Sequence, residues 1–245
     1  MGFFTRVFGG LSAASFFNFS FIDAYWKIIL LSVVYTLLLA IFSVALAVLP
    51  ALGLAVMRLS KNKVVKGIAG AYIAIFRSTP LLVQLSIIYF GLFGVINIPN
   101  KILLFGFISL SRFLPGVVAL ALNSSAYVAE IFRGGILAVD IGQTEAARSL
   151  GLSSWKCLKL VVLPQAIKNV LPALASEIVT MVKESSICMT LGMAEIMFAA
   201  KTIAGATYIT LAPYTVAAII YFLINYPASK GIEAIERRMR RGDRI

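Results

Sequence analysis

Long apolar runs separated by charged or helix-breaking residues constrain this chain more than any other feature. They cover Tyr25–Met57, residues 64–96, residues 113–136, the stretch after Lys168, and residues 203–226. Each reaches the roughly 20 residues that an α-helix needs to cross a hydrocarbon core. With 60% apolar and 13% charged residues, the chain is not an ordinary soluble domain, which carries roughly 25% charged residues. The runs recur throughout, so one all-α membrane domain of about five transmembrane helices is expected over residues 23–229. A phenylalanine-rich interfacial segment (residues 1–22) precedes it and a basic cytoplasmic tail (residues 230–245) follows. The first run is too long for a signal-peptide core and no small-residue cleavage site follows it. Nothing is expected to be removed.

The net charge of +12 raises the question of nucleic acid, but the bases sit where membrane topology places them. Fifteen Lys and Arg fall in the proposed inner segments (58–66, 133–168 and 230–244) and five in the outer ones. By the positive-inside rule the N-terminus is outside and the C-terminus cytoplasmic. No nucleic-acid partner is expected; the lipid bilayer is. Two cysteines and no histidine argue against a disulfide framework or a zinc cluster, and Cys157 and Cys188 read as small packing residues. There is no phosphate-cradling Gly-rich loop and no Gly-Lys dipeptide. Neither a metal site nor a catalytic residue is expected, and the chain does not read as an enzyme.

Polar residues inside the runs are expensive and therefore informative. Phe76-Arg77-Ser78-Thr79-Pro80 interrupts the second run, where proline removes a backbone donor and must kink or break the helix. At 1.5 Å per residue, Arg77 lies roughly 20 Å from the cytoplasmic edge and needs a partner or a water-filled cavity. In the third run Asn123, Tyr127 and Glu130 share one helical stripe, with Ser124 and Ser125 beside them. These groups read equally as interhelical glue or as the wall of a polar pocket. The fourth run carries Glu177, which could pair with Arg77, and then Lys183 and Glu184, which point about 100° apart. Gly192–Lys201 reads as a short amphipathic segment on the outside.

Between the third and fourth runs lies the longest polar interruption, residues 140–164. Thr144 is expected to cap a short helix over Glu145–Leu150, and Gly151 to end it in a left-handed conformation. Ser153 is expected to cap a second helix towards Leu163, with Leu152, Trp155 and Leu158 on its packing side and Pro164 marking the next change of direction. Two helices this short need something to dock on.

Glu145-Ala146-Ala147, Gly151 and Val161-x-Leu163-Pro164, at their spacing, resemble the EAA loop of bacterial ABC importer membrane subunits, with Val161 where that family usually has isoleucine. Phe76–Gln84 and the Lys183-Glu184-Ser185 cluster resemble the narrower family of polar amino-acid importers. The resemblance implies the type I ABC importer permease fold. Glu145, Ala146, Ala147, Gly151, Trp155, Leu163 and Pro164 would form a cytoplasmic coupling helix that docks on a separate ATPase dimer. That partner would hold the ATP and Mg, this chain binding no cofactor. A second permease subunit is implied (homodimer favoured over heterodimer), as is an extracytoplasmic amino-acid-binding protein, in the bacterial inner membrane. Thr79, Asn123, Ser124, Tyr127 and Glu184 are the expected substrate-binding residues, with Arg77, Glu130 and Lys183 nearby. A Glu184 carboxylate facing the cavity would favour a basic L-amino acid. The alternative is an ion-coupled secondary amino-acid transporter in which Glu130 or Glu184 titrates; it leaves the loop spacing as an accident.

Overall fold

The computed structural model describes residues 18–96, 98–99 and 102–241. Most of the expected interfacial segment, residues 1–17, lies outside the described residues. Helix α1 (Ile22–Leu59) runs unbroken through Pro50 for 38 residues, about 57 Å at 1.5 Å per residue. It outruns a hydrocarbon core of roughly 30 Å, as its length predicts. Along one face Thr36, Ala40, Ser43, Ala47, Ala51 and Ala55 are buried at three- and four-residue spacing. These small side chains let α1 lie close along α4 (Leu110–Leu137).

Asn62 caps the next helix, α2 (Lys63–Ser78), its side-chain oxygen accepting from the N–H groups of Val64 and Val65. The basic connection is therefore shorter than the sequence indicates, with Lys63 and Lys66 on the helix itself. The chain then breaks, and α3 (Leu81–Val95) leaves at 105° to α2, a turn far sharper than a proline kink. The connection between α3 and α4 contains a two-residue antiparallel pair, β1 (Leu103–Leu104) and β2 (Ile108–Ser109). Its turn uses positive φ at Phe105 and Gly106.

After α4 come a short helix α5 (Ile141–Ser149) and the long α6 (Ser154–Leu191). The sequence reading starts the fourth span after Lys168, but α6 begins at Ser154 and passes Pro164. A π turn over Leu158–Val162 widens the ladder, with the Leu163 N–H reaching the Leu158 carbonyl, and the helix absorbs a residue that has no N–H to donate. The expected fifth span divides. Ile203–Thr207 belongs to α7 (Ile196–Thr207), and α8 starts only at Ala212 and continues to Arg241. The division is built by Thr207, whose hydroxyl donates to the Ile203 carbonyl and accepts from the Ile209 N–H, and by left-handed Tyr208. The expected boundary between domain and tail at 229/230 falls inside α8, which is continuous there.

By length and apolar character α1, α4 and α6 qualify as membrane spans, and α2–α3 as a bent fourth; α8, at 30 residues, is the remaining long helix. Their shared core holds Leu39 of α1, Leu85 of α3, Leu120 of α4 and Met181 of α6, all without exposed surface. Cys188 is buried in the same core.

A second tie joins α1, α7 and α8. The Ile196 N–H donates to the Thr36 hydroxyl at 3.2 Å. Glu195, fully buried between the spans, accepts from the N–H groups of Met197 and Phe198 and from the Tyr221 hydroxyl at 2.9 Å. Burial pushes its carboxyl up to about 7, against the three donors that favour ionisation. The folded chain therefore keeps this proton in a window, from about 4.5 to about 7, where the unfolded chain has released it, so stability falls as pH rises through that window. Heat-unfolding midpoints in detergent are expected to decline between pH 5 and 7 more steeply for wild type than for Glu195→Gln, as ~1.4 kcal/mol per pKa unit requires. Parallel slopes would contradict this.

Candidate functional site

The break between α2 and α3 follows from Pro80. Proline forces Thr79 into an extended conformation (φ −109°, ψ 147°) and offers no N–H to the carbonyl of Phe76, four residues earlier. The Gln84 carboxamide meets that carbonyl instead, its nitrogen lying 2.8 Å from the Phe76 oxygen, 3.0 Å from the Thr79 carbonyl and 2.8 Å from the Thr79 hydroxyl. The Thr79 hydroxyl itself donates to Ile75. The Gln84 oxygen accepts from Asn123 of α4 at 2.8 Å, and the same amide nitrogen of Asn123 lies 3.4 Å from the Phe76 carbonyl. Gln84 and Asn123 are both buried. One amide pair thus holds the bend and fixes it to α4.

Other polar groups of α4 are divided among its neighbours. On one side the Tyr72 hydroxyl stands 2.8 Å from the Ser125 hydroxyl and 2.9 Å from the Leu122 carbonyl. On another Ser124 donates to Glu177 of α6 at 2.8 Å. Glu177 therefore meets a serine rather than Arg77, as the sequence had raised. Arg77 is exposed on this chain rather than buried, its guanidinium 5.3 Å from the Tyr127 ring. Glu130 pairs with Arg133 at 2.7 Å and lies 3.6 Å from Arg58 at the end of α1. Two turns beyond Glu177 on α6, Glu184 is half-buried, and one of its oxygens is buried with no hydrogen-bond partner among the described residues. Lys183 beside it is exposed.

Of the expected site residues, Thr79 and Asn123 are joined through Gln84, and Arg77 faces Tyr127; Ser124 turns to α6, and Glu130 belongs to an arginine cluster. Gln84, Glu177, Arg58 and Arg133 are participants to which the sequence reading gave no site role. Gln84 had a legible signal, since a polar side chain one turn after a helix-breaking proline can reach the orphaned carbonyl. The exposed edge Arg77-Ser78-Thr79 can offer a cation, hydroxyls and carbonyl oxygens, and Glu184 a carboxylate. Among the described residues no three His, Cys, Asp or Glu side chains converge as metal ligands.

In the polar interruption α5 starts earlier than expected. Asp140, not Thr144, is the cap, accepting from the Gly142 N–H at 2.7 Å; its carboxylate comes first along the chain, so the helix gains a turn before Glu145. Gly151 is left-handed (φ 85°) and Ser153 caps α6 by accepting from the Lys156 N–H, both as predicted. The Arg148 guanidinium donates to the Leu152 carbonyl at 2.7 Å and locks the turn. Ala147, Cys157 and Val162 are buried against Val139, Leu152 and Leu158, so the hairpin has its own small core. Trp155 is not in it. The residue is 67% exposed, as are Ile141 (70%) and Leu150 (84%), because the buried side of α6 is taken by Cys157. Glu145, Ala146 and Pro164 are exposed and Leu163 is half-buried. An open cavity of about 580 Å³ lies between the end of α4, α5 and the start of α6.

Replacing Gln84 by Leu takes the nearer donor from the Phe76 carbonyl, leaving it the long 3.4 Å contact from Asn123, and removes the acceptor of the buried Asn123 amide, at roughly 1–3 kcal/mol for a buried polar group. A heat-unfolding midpoint several degrees lower is expected for Gln84→Leu in detergent, and near-wild-type behaviour for Ser86→Ala, which loses only a bond to its own helix. Equal midpoints would contradict the role given to Gln84.

Residues 47–241 match the family described as binding-protein-dependent transport system inner membrane component. The arginine transport system permease protein of Bacillus subtilis is 38% identical over 208 residues, spanning 85% of this chain and 90% of its own. A Rickettsia conorii chain, provisionally named a glutamine transport system permease protein, is 38% identical over 210 residues, 86% of this chain and 90% of its own. Among solved structures, an amino acid ABC transporter crystallised with histidines superposes with a TM-score of 0.80 at 43% identity, covering 90% of this chain and 98% of that one.

Proposed function

The chain belongs to the family of binding-protein-dependent inner membrane transport components, as a permease subunit of an amino-acid ABC transporter, and from that premise we propose that it moves basic L-amino acids into the cytoplasm by alternating access. The observation that carries the substrate class is Glu184. A carboxylate oxygen buried among apolar helices without a partner among the described residues costs free energy that a cationic side chain would recover. The arginine named for the Bacillus subtilis relative and the histidines of the solved transporter support this reading, while the glutamine named for the Rickettsia conorii relative marks the wider polar class. Thr79, Asn123, Ser124, Tyr127 and Glu184 form the proposed pocket, with Arg77, Glu130 and Lys183 beside it. Thr79, Tyr127 and Arg77 would contact the ligand, and Asn123 and Ser124, already hydrogen-bonded within the chain, would hold the wall.

The edge Arg77-Ser78-Thr79 is exposed on a lone chain at an apolar depth, which fits a second permease subunit and a shared water-filled path rather than lipid. A homodimer is the simplest such pair. The positive-inside distribution supports a cytoplasmic position for the loop Asp140–Pro164. There the exposed Ile141, Leu150 and Trp155 around Glu145, Ala146, Ala147 and Gly151 would dock on a partner ATPase dimer, which holds ATP and Mg. Closure of that dimer would push the loop, and α4 and α6, which bracket it, would rock around the pocket. A binding protein would deliver the amino acid from outside. An ion-coupled transporter gives this exposed loop and the family membership no role.

In vesicles holding the chain with its ATPase and binding protein, Glu184→Ala is expected to lower arginine uptake relative to glutamine about tenfold, the ~1.4 kcal/mol of one charge-assisted hydrogen bond. Unchanged selectivity would overturn the basic-substrate reading. Gly151→Asp, which strains the left-handed turn, is expected to reduce ATPase co-purification with the chain; full retention would count against the docking role.

A further inference from the structure

The last helix carries two unlike faces along its whole length. Tyr221, Asn225, Ile232, Glu236 and Met239 recur at three- to seven-residue spacing and fall on one side. Tyr221 is tied to Glu195. Glu236 and Met239 close a cavity of about 280 Å³ against Glu130–Gly135 of α4 and Lys168–Ala173 of α6. A second stripe, roughly 115° round the helix at 3.6 residues per turn, runs through Phe222, Tyr226, Lys230, Glu233 and Arg237, all exposed, with exposed Arg238 at its edge. Its composition changes abruptly. Phe222 and Tyr226 stack with ring centroids 5.1 Å apart, the Lys230 ammonium lies 6.0 Å from the Tyr226 ring, and beyond it the stripe is charged. Glu233 pairs with Lys230 at 2.9 Å, and the sequence continues with Arg240 and Arg241.

The length of α8 says where this change occurs. Thirty residues at 1.5 Å each extend about 45 Å, against a hydrocarbon core of roughly 30 Å and 40–45 Å including headgroups. A helix that crosses the core therefore has its last ten or so residues, about 15 Å, at headgroup level. Phe222 and Tyr226 then lie on the core side of that boundary and Arg237 and Arg238 beyond it, with the packing face held to α6.

We propose that the exposed stripe Lys230–Arg237–Arg238 of α8 is a binding surface for the phosphates of anionic membrane lipids, with Phe222 and Tyr226 seated in the adjoining acyl region. Charge complementarity selects the lipid surface. A row of fixed cations directly continuous with an apolar, lipid-level stripe meets headgroups of opposite sign in the same plane. The assignment does not depend on the transported substrate. Because the first stripe of the same turns lines the cavity beside the ends of the two helices that bracket the Asp140–Pro164 hairpin, lipid binding would also brace that hairpin.

The test attaches an environment-sensitive fluorophore to the Ala234→Cys variant of the full chain, Ala234 being exposed and the two native cysteines buried. The labelled chain is placed in nanodiscs containing headgroup-spin-labelled phosphatidylglycerol or phosphatidylcholine at equal mole fraction. Quenching by the anionic lipid is expected to exceed that by the zwitterionic lipid by about twofold or more. The excess is expected to fall at roughly 0.5 M salt, where screening is strong, and to vanish in Lys230→Gln/Arg237→Gln/Arg238→Gln, which alters exposed side chains only. Equal quenching by both lipids, or an excess that survives the triple substitution, would overturn the proposal. Negligible quenching by either lipid would do the same and point to a protein partner on this face.

Discussion

A carbonyl that loses its helical partner inside an apolar bundle must find another donor from the protein, since no water is at hand to supply one. Pro80 creates that need at Phe76, and the Gln84 carboxamide, backed by Asn123, answers it. Much of the polar architecture depends on this arrangement. The bend between α2 and α3 reaches 105° because the broken ladder is closed by a side chain and not by the backbone. The bend leaves Arg77, Ser78 and Thr79 on an exposed edge. It also fixes the register of α4, whose next residues then meet Glu177 on one side and Arg77 on another. Substitutions at Gln84 and Asn123 act on the position of the site, not on ligand contact.

The sequence shows where backbone bonding fails more readily than what replaces it. The apolar runs, the break at Pro80, the left-handed Gly151 and the Ser153 cap are all legible, because each is a local property of residue type. The size of the bend is not, since it is set by a tertiary contact from Gln84 to Asn123. Pro164 misleads for a similar reason: a proline costs a helix one donor, but a π turn one turn earlier accommodates the loss and α6 continues. Trp155 misleads because three-residue spacing identifies a helical side without saying which side is covered; Cys157 and Val162 take the buried one. The fifth run hides a division because its interruption is made by the hydroxyl of Thr207 and a left-handed tyrosine, residues with no general preference for that role. Arg77 sits inside an apolar run, where it needs a partner or a water-filled cavity, and on this chain it is exposed.

Two regions divide the labour that the proposed function requires. The hairpin of α5 and the start of α6 has an inner core of its own and an outer rim of Ile141, Leu150 and Trp155. The polar groups of α4 lie further along the same helix, where Ser124 is bonded to Glu177 of α6. The Glu130–Arg133–Arg58 cluster ties α4 to the end of α1.

The central claim is that a partner ATPase, acting through the Asp140–Pro164 hairpin, drives this chain. The most direct measurement is arginine uptake by vesicles reconstituted with the chain, its ATPase and its binding protein, with ATP enclosed or omitted and ionophores present to abolish ion gradients. Uptake that requires enclosed ATP and is indifferent to ionophores is the predicted result. Uptake that proceeds without ATP and collapses when the gradients do would contradict the account.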